Sequence, residues 1–259
     1  MSSEVNLNSD LGESFGPWKM GADGEMLTIV RSANVACGYH ASDPTVIAET
    51  VRLAVKNGVS IGAHPGFPDL QGFGRRVMRF TNAEIEMMIA YQIGALIGVA
   101  AASGGKVTHV KPHGMMANMA AEDESMATAM ARATKAVDRS LIFLAQANTA
   151  LSTAGHKAGL RTAEEVFADR TYTDAGLLTP RREPNAMIHD MQQAVEHVRR
   201  MIAEQAVFSV SGKRIPCRVD SICVHGDEPT AVATARGVRE GLEAAQVRIV
   251  PLPELQRLQ

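Results

Sequence analysis

The sequence is poor in aromatic residues, in cysteine and in any excess of one charge sign, and each shortage narrows what the chain can be. Aromatics make up 4% of 259 residues, with one tryptophan, Trp18, while 46% is hydrophobic. Alanine and the 14 methionines must therefore carry much of a large core. Cys37, Cys217 and Cys223 are an odd count without metal-site spacing, which fits buried thiols in a reducing cytoplasm rather than a disulfide framework. A net charge of -2 gives no field for nucleic acid or an anionic membrane. No uninterrupted apolar run reaches the roughly 18 residues of a membrane span. The start, Met1-Ser2-Ser3-Glu4, lacks the basic-then-apolar pattern of a signal peptide. A cytoplasmic chain without membrane or nucleic-acid partners is expected. Also missing are a Gly-x-x-x-x-Gly-Lys-Ser/Thr loop, a dinucleotide fingerprint and a Gly-x-Ser-x-Gly elbow. If nucleotide is used, another subunit or an unfamiliar site must bind it.

What is present is a recurring strand end. Asn34-Val35-Ala36-Cys37-Gly38-Tyr39-His40 closes one apolar run, and Asp43-Pro44 then reads as a cap and first residue of a helix. Ile61-Gly62-Ala63-His64-Pro65-Gly66, Val107-Thr108-His109-Val110-Lys111-Pro112-His113 and Ile222-Cys223-Val224-His225 close three more runs with histidine, and Val5 to Asp10 closes the first with a carboxylate. Parallel α/β folds place their chemistry at such carboxyl ends of strands.

Strands are expected near residues 5–9, 32–36, 59–63, 107–111, 141–144 and 159–163 and in a run ending at His225, with a short last strand at 247–250. Helices are expected from about Asp23, after Pro44, from the capping box Thr81-Asn82-Ala83-Glu84 to about Ala102, from near Asp123, up to Gly155, through Ile188 to Ile202, and from Pro229. Residues 14–24, with Trp18, and 64–80 read as long loops at a site, and Ser211-Gly212 as a hairpin turn. About seven strand–helix units in one domain, 1–259, favour a closed, irregular barrel over an open sheet.

Asp10, His40, His64, His113 and His225 form a set fit for a metal or for acid–base work; a hydrogen-bonded polar network stays open beside it. Arg75, Arg76, Asp169, Arg170, Arg181 and Arg182 form a second set, whose guanidinium forks fit carboxylates or phosphates, with Asp169-Arg170 also readable as an internal ion pair.

The stretches Asn6 to Glu13, Ala33 to Pro44, Gly62 to Asp69, Gly72-Phe73-Gly74-Arg75-Arg76, Val110-Lys111-Pro112-His113-Gly114, Glu165 to Arg170 and Val224-His225-Gly226-Asp227 resemble, in order, the LamB/YcsF family. The resemblance implies an irregular (β/α)7-type barrel like that of the glycoside hydrolase/deacetylase superfamily. It implies ATP-dependent opening of the 5-oxoproline lactam to L-glutamate, with two partner subunits of an oxoprolinase complex holding or sharing the ATP. Relatives of that fold bind a divalent metal through an aspartate and histidines, which Asp10, His40 and His64 match in kind. One departure bears on substrate: the family commonly continues His-Gly with Ala-Leu-Tyr-Asn, whereas this chain has Met115-Met116-Ala117-Asn118.

On this reading Asp10 or Glu13 is the base, Lys111 and His113 stabilise charge, and His64 is a ligand or proton carrier. Arg75 or Arg76 clamps the substrate carboxylate, and Asn8, His40, Asp43, Asp169, Arg170 and His225 complete the binding set. The alternatives are an independent metal-dependent amidohydrolase or deacetylase, and a non-catalytic scaffold within the complex; assembly with a second copy also stays open.

Overall fold

Short apolar runs alternating with amphipathic stretches fold into a closed parallel barrel in the structure, a computed structural model that describes residues 4–225 and 231–259. The strands are β1 (Glu4–Leu11), β2 (Ser32–Ala36), β3 (Ser60–His64), β4 (Val107–Val110), β5 (Ile142–Gln146) and β6 (Thr162–Phe167). Outside the barrel come β7 (Ala206–Phe208) and β8 (Arg214–Pro216), followed by β9 (Ser221–Cys223) and β10 (Arg248–Ile249). The order β1-β2-β3-β4-β5-β6-β9 closes where β9 pairs back to β1, giving a barrel of seven parallel strands, as the strand–helix count led one to expect. β10 pairs with the first residues of β1. It lies on the β2 side, because the Val5 and Leu7 carbonyls point one way and take N–H groups from Val250 and Arg31.

The helices are α1 (Asp23–Ile29), α2 (Pro44–Lys56), α3 (Asn82–Ala102), α4 (Gly114–Glu122), α5 (Glu124–Val137), α6 (Ala150–Lys157), α7 (Met191–Glu204) and α8 (Ala231–Ala244). Asp43 caps α2 through the Thr45 and Val46 N–H groups, with Pro44 first in the helix, and Thr81 with Glu84 forms the capping box of α3. Helix α3 is long and apolar enough to cross a membrane by length and composition; here it packs on α2 and α5. Gln92, which interrupts its apolar run, is buried and clamps both backbone groups of Gly66, steadying the turn after His64.

Two expectations need correction. The sixth strand is 162–167, not 159–163: Gly159 at φ +73° and the bond from Leu160 N–H to the Gly155 carbonyl finish α6 first. The helix expected from near Asp123 is α5, capped by Asp123, and a further helix, α4, precedes it directly behind His113. Helix α7 begins after its cap Asp190, so Ile188 lies outside it. The hairpin forms as β7–β8 around Gly212. The proposed helix start at Pro229, the Gly226-Asp227 part of the last motif, and Met1 to Ser3 lie outside the described residues.

The barrel interior is divided. On the β5–β6 side Ile142, Leu144 and Ala163 pack with Val250, Leu252, Leu255 and Leu258 of the C-terminal segment. That segment plugs the end where the strands begin, since Leu252 N–H donates to Ser32 and Arg257 binds Asp220 and the Thr162 carbonyl. The β1–β2–β9 side is polar throughout: Asn6 bonds Ser32 and Ser221, and Asn8 bonds Ser221, Glu165 and Asn34. Gly62 leaves room for the His109 ring, which a side chain there would strike. The His109 Nε2 lies 3.0 Å from the Asn34 Oδ1, and Asn34 donates onward to Asp10 at 2.9 Å. Buried polar groups need such partners, and this ladder supports the floor of the site.

Candidate active site

Because side chains alternate along each strand, Asn6, Asn8 and Asp10 share the inner face of β1, and Asp10 reaches the open end. Lys111 follows β4 and is buried, with its Nζ 2.8 Å from Asp10 and 2.9 Å from Glu165. Burial pulls the Lys111 pKa down, but Asp10 leads the neighbouring charges that raise it well above normal. Burial pushes Asp10 up, and His64 and Lys111 outweigh it, leaving the carboxyl well below its usual range. Glu165 goes the other way: burial raises it more than Lys111 lowers it.

His64 directs Nδ1 at the Lys111 carbonyl, 2.7 Å away, so that nitrogen donates and Nε2 faces the site. His113 lies 2.8 Å from the Phe73 carbonyl through Nε2, which leaves its Nδ1 facing the site. These two nitrogens lie 3.1 Å apart, with Asp10 Oδ2 3.3 Å from His64 Nε2. His40 stacks on His113 with centroids 3.7 Å apart, and neither of its nitrogens has a hydrogen-bond partner among the described residues. Glu13 Oε1 is 3.6 Å from His40 Nε2, and one ligand atom each from Glu13, His40, His64 and His113 lies within 4.8 Å of the others. Three imidazoles and a carboxylate converging here, with both His40 nitrogens unpartnered among the described residues, fit a divalent cation of the zinc, manganese or iron type. This set shares His40 and His64 with the expected Asp10, His40 and His64 and adds Glu13 and His113; Lys111 engages Asp10 Oδ1, while Oδ2 faces His64. Asp10, Cys223 and His225 also converge, but there the Lys111 ammonium, 3.2 Å from the Cys223 sulfur, already supplies the positive charge.

Across the cavity His225 Nδ1 is 2.6 Å from Asp169 Oδ2, with the ring stacked beside Phe167. Burial would raise the Asp169 pKa, but His225 leads the groups that bring it below normal. Asp10, Glu13, His64, Lys111, His113, Glu165 and His225 line one cavity of about 650 Å³, together with Arg75 and Arg170. Arg75 lies over the Phe73 ring. Arg170 is buried and held by the Thr179 carbonyl at 2.7 Å; burial and then Arg181 lower its pKa to about 10.

Other expected residues sit elsewhere. Arg76 pairs with Asp69 outside the cavity lining. Asp43 is occupied by backbone N–H groups, including that of Gly16. Asn8 lies beneath the floor, and His40 stands behind His113 and Glu13, outside the lining. Trp18 is 69% exposed on its own turn, stacked on Phe15. Glu165 and Asn34 were quoted in motifs without a role; their signal was polar residues at inward positions of otherwise apolar strands.

Burial first, then the neighbouring imidazoles, hold His40 and His113 well below the usual histidine range, and burial brings His109 to about 3 and His197 to about 4. Unfolded, the same groups take protons near 6.5. The unfolded state therefore binds more protons below that value, so stability is full above it and drains away as pH falls. The metal-free chain is expected to melt markedly lower at pH 5 than at pH 7.5; a melting temperature constant across that interval would contradict the neutral assignment.

The family model described as LamB/YcsF family matches residues 5–257. A protein of Azoarcus sp. (strain BH72), named as a subunit of 5-oxoprolinase, is 53% identical over 252 residues, covering 97% of this chain and 98% of the relative. The crystal structure of a lactam utilization protein from Thermus thermophilus superposes with a TM-score of 0.90 at 43% identity, covering 95% of this chain and 99% of the other. A solved T48 deacetylase is alike in fold alone, at a TM-score of 0.51 and 15% identity, over 99% of this chain and 90% of that one.

Proposed function

Since the chain belongs to the LamB/YcsF family, we propose that it is the ring-opening subunit of an ATP-dependent 5-oxoprolinase, hydrolysing the lactam of 5-oxoproline to L-glutamate. Support comes from the relative named as a subunit of 5-oxoprolinase, 53% identical over nearly the full length. The observation that carries the chemistry is an ionised Asp10 set between Lys111 and His64 on the floor of one cavity.

Hydrolysis needs a proton taken from water, charge stabilised on the carbonyl oxygen and a proton given to the ring nitrogen. Asp10, unprotonated at neutral pH, takes the first proton. The Lys111 ammonium stabilises the negative charge carried on the amide oxygen and its phosphoryl group. His225, oriented by Asp169 through Nδ1, has Nε2 left to carry a proton to the leaving nitrogen. Arg75 clamps the substrate carboxylate. A divalent cation held by Glu13, His40, His64 and His113 would polarise the carbonyl or acidify water. A lactam is stable, so partner subunits would activate it by passing the γ-phosphoryl group of ATP to the amide oxygen with release of ADP; water attack and cleavage of the C–N bond then leave a glutamyl phosphate, which a second water hydrolyses to L-glutamate and phosphate. The lack of a phosphate loop in this chain supports reading the nucleotide as bound by those partners.

The test is glutamate formation from 5-oxoproline and ATP, by the chain alone and with its partners, beside metal analysis. Little turnover alone, strong turnover with partners, and one equivalent of bound zinc or manganese lost in Glu13→Gln with His113→Ala are expected. Robust ATP-dependent turnover by the pure chain would overturn the division of labour. ATP-independent, metal-dependent amide hydrolysis would favour the second reading, a self-sufficient amidohydrolase, for which the imidazole cluster is the specific support.

A further inference from the structure

The cavity is much larger than a single five-membered lactam, and its far side differs from its floor. At about 650 Å³ it lies in the range of sites that enclose drug-sized ligands. Asp10, Glu13, His64 and His113 come from the β1, β3 and β4 ends. The remainder of the wall comes from β5, α4, α6 and the segment 177–182, where Ala117, Ala121, Leu144, Leu151 and Leu178 make an apolar lobe. At the edge of that lobe stands Gln146, 9% exposed, whose Nε2 has no hydrogen-bond partner among the described residues. Gln146 is paired in register with Glu165 on the neighbouring strand, and Glu165 touches Lys111, so lobe and floor adjoin. Arg170 and Arg181 lie on the same cavity wall, next to Leu178 and Thr179.

A buried amide N–H without a partner is costly and asks for an acceptor. The apolar walls ask for an aliphatic group, and the guanidinium groups beyond them for a carboxylate. Resting on the reading of the floor as a lactam site, we propose that the lobe is a second subsite, and that the cavity takes 5-oxoprolyl dipeptides with an aliphatic second residue. The lactam head lies over Asp10 and Lys111, and the peptide carbonyl accepts from Gln146 Nε2. The aliphatic side chain fills the space left by Ala117 and Ala121, and the terminal carboxylate meets Arg170 and Arg181. The small side chain of Ala117 keeps the lobe open.

Titration calorimetry on the full chain tests this with 5-oxoproline, 5-oxoprolyl-glycine and 5-oxoprolyl-leucine. Burying a leucine side chain predicts that the leucyl compound binds at least about tenfold tighter than either of the others. Gln146→Leu, close in shape, and Ala117→Phe, which fills the lobe, should each reduce the ratio of leucyl-compound to 5-oxoproline affinity by about fivefold or more; thermal melting reports whether each variant is folded. Binding of 5-oxoproline with no gain for the leucyl compound overturns the subsite while leaving the lactam reading intact, as does a ratio unmoved in both folded variants. No binding of any of the three by the wild-type chain sinks the lactam reading and the subsite with it.

Discussion

Replacing Lys111 with methionine is expected to cost the fold about 3–5 kcal/mol, the usual consequence of removing one partner from a buried ion pair. Its ammonium sits between Asp10 at 2.8 Å and Glu165 at 2.9 Å, and all three side chains are largely out of water. Methionine restores the volume but leaves two carboxylates facing one another. Burial has already raised Glu165 above its usual range with the lysine in place, so Glu165 is the group that takes up a proton when the lysine goes. The double variant Lys111→Met with Glu165→Gln removes that conflict and should recover much of the loss, a coupling that separate sites would not show. Urea unfolding of the three proteins is the check. A midpoint for Lys111→Met equal to that of the wild type would mean that the triad is not a structural charge cluster.

Turnover should fall at least about a hundredfold in His64→Ala, the scale of a proton-transfer group or ligand. His64 uses Nδ1 for the Lys111 carbonyl and presents Nε2 to Asp10 and His113. The two nitrogens can be separated experimentally. Asparagine at 64 can keep a donor to the Lys111 carbonyl while removing the Nε2 lone pair. His64→Asn should therefore melt near the wild type and yet lose activity as fully as His64→Ala. If His64→Asn is active, or if each loss of activity is matched by unfolding, His64 is a structural histidine.

The strand ends of this site were legible because the same exception recurs. An apolar run that ends in His64, His113, His225 or Asp10 places a titratable group where packing does not need it, and a parallel barrel gathers those ends. The capping box at Thr81 and the cap at Asp43 were legible for a local reason, since both act through backbone groups within three residues. Asp43 also takes the distant Gly16 N–H and stands outside the cavity lining, placements that only the fold decides. The sixth strand was misplaced because its core residues are split by Glu164 and Glu165, and Glu165 is polar for the sake of Lys111 across the barrel. Such a reason lies in tertiary contact and leaves no trace in local periodicity. The gathering of Glu13 and His113 with His40 and His64 was hidden for the same reason, since only the fold brings these side chains together. Gln146 and His109 were equally hidden: one is an ordinary polar residue until its amide is found without a partner, the other a strand histidine until Gly62 is seen to make room for it.

The most direct test of a catalytic floor in this chain is Asp10→Asn, reconstituted with the partner subunits and assayed for glutamate from 5-oxoproline and ATP. Asparagine keeps the shape and the contact to Lys111 but cannot take a proton. The account predicts that the complex assembles, binds 5-oxoproline and forms glutamate at no more than about one hundredth of the wild-type rate. A complex carrying Asp10→Asn that forms glutamate at the wild-type rate would place the ring-opening chemistry in another subunit and leave this chain a scaffold.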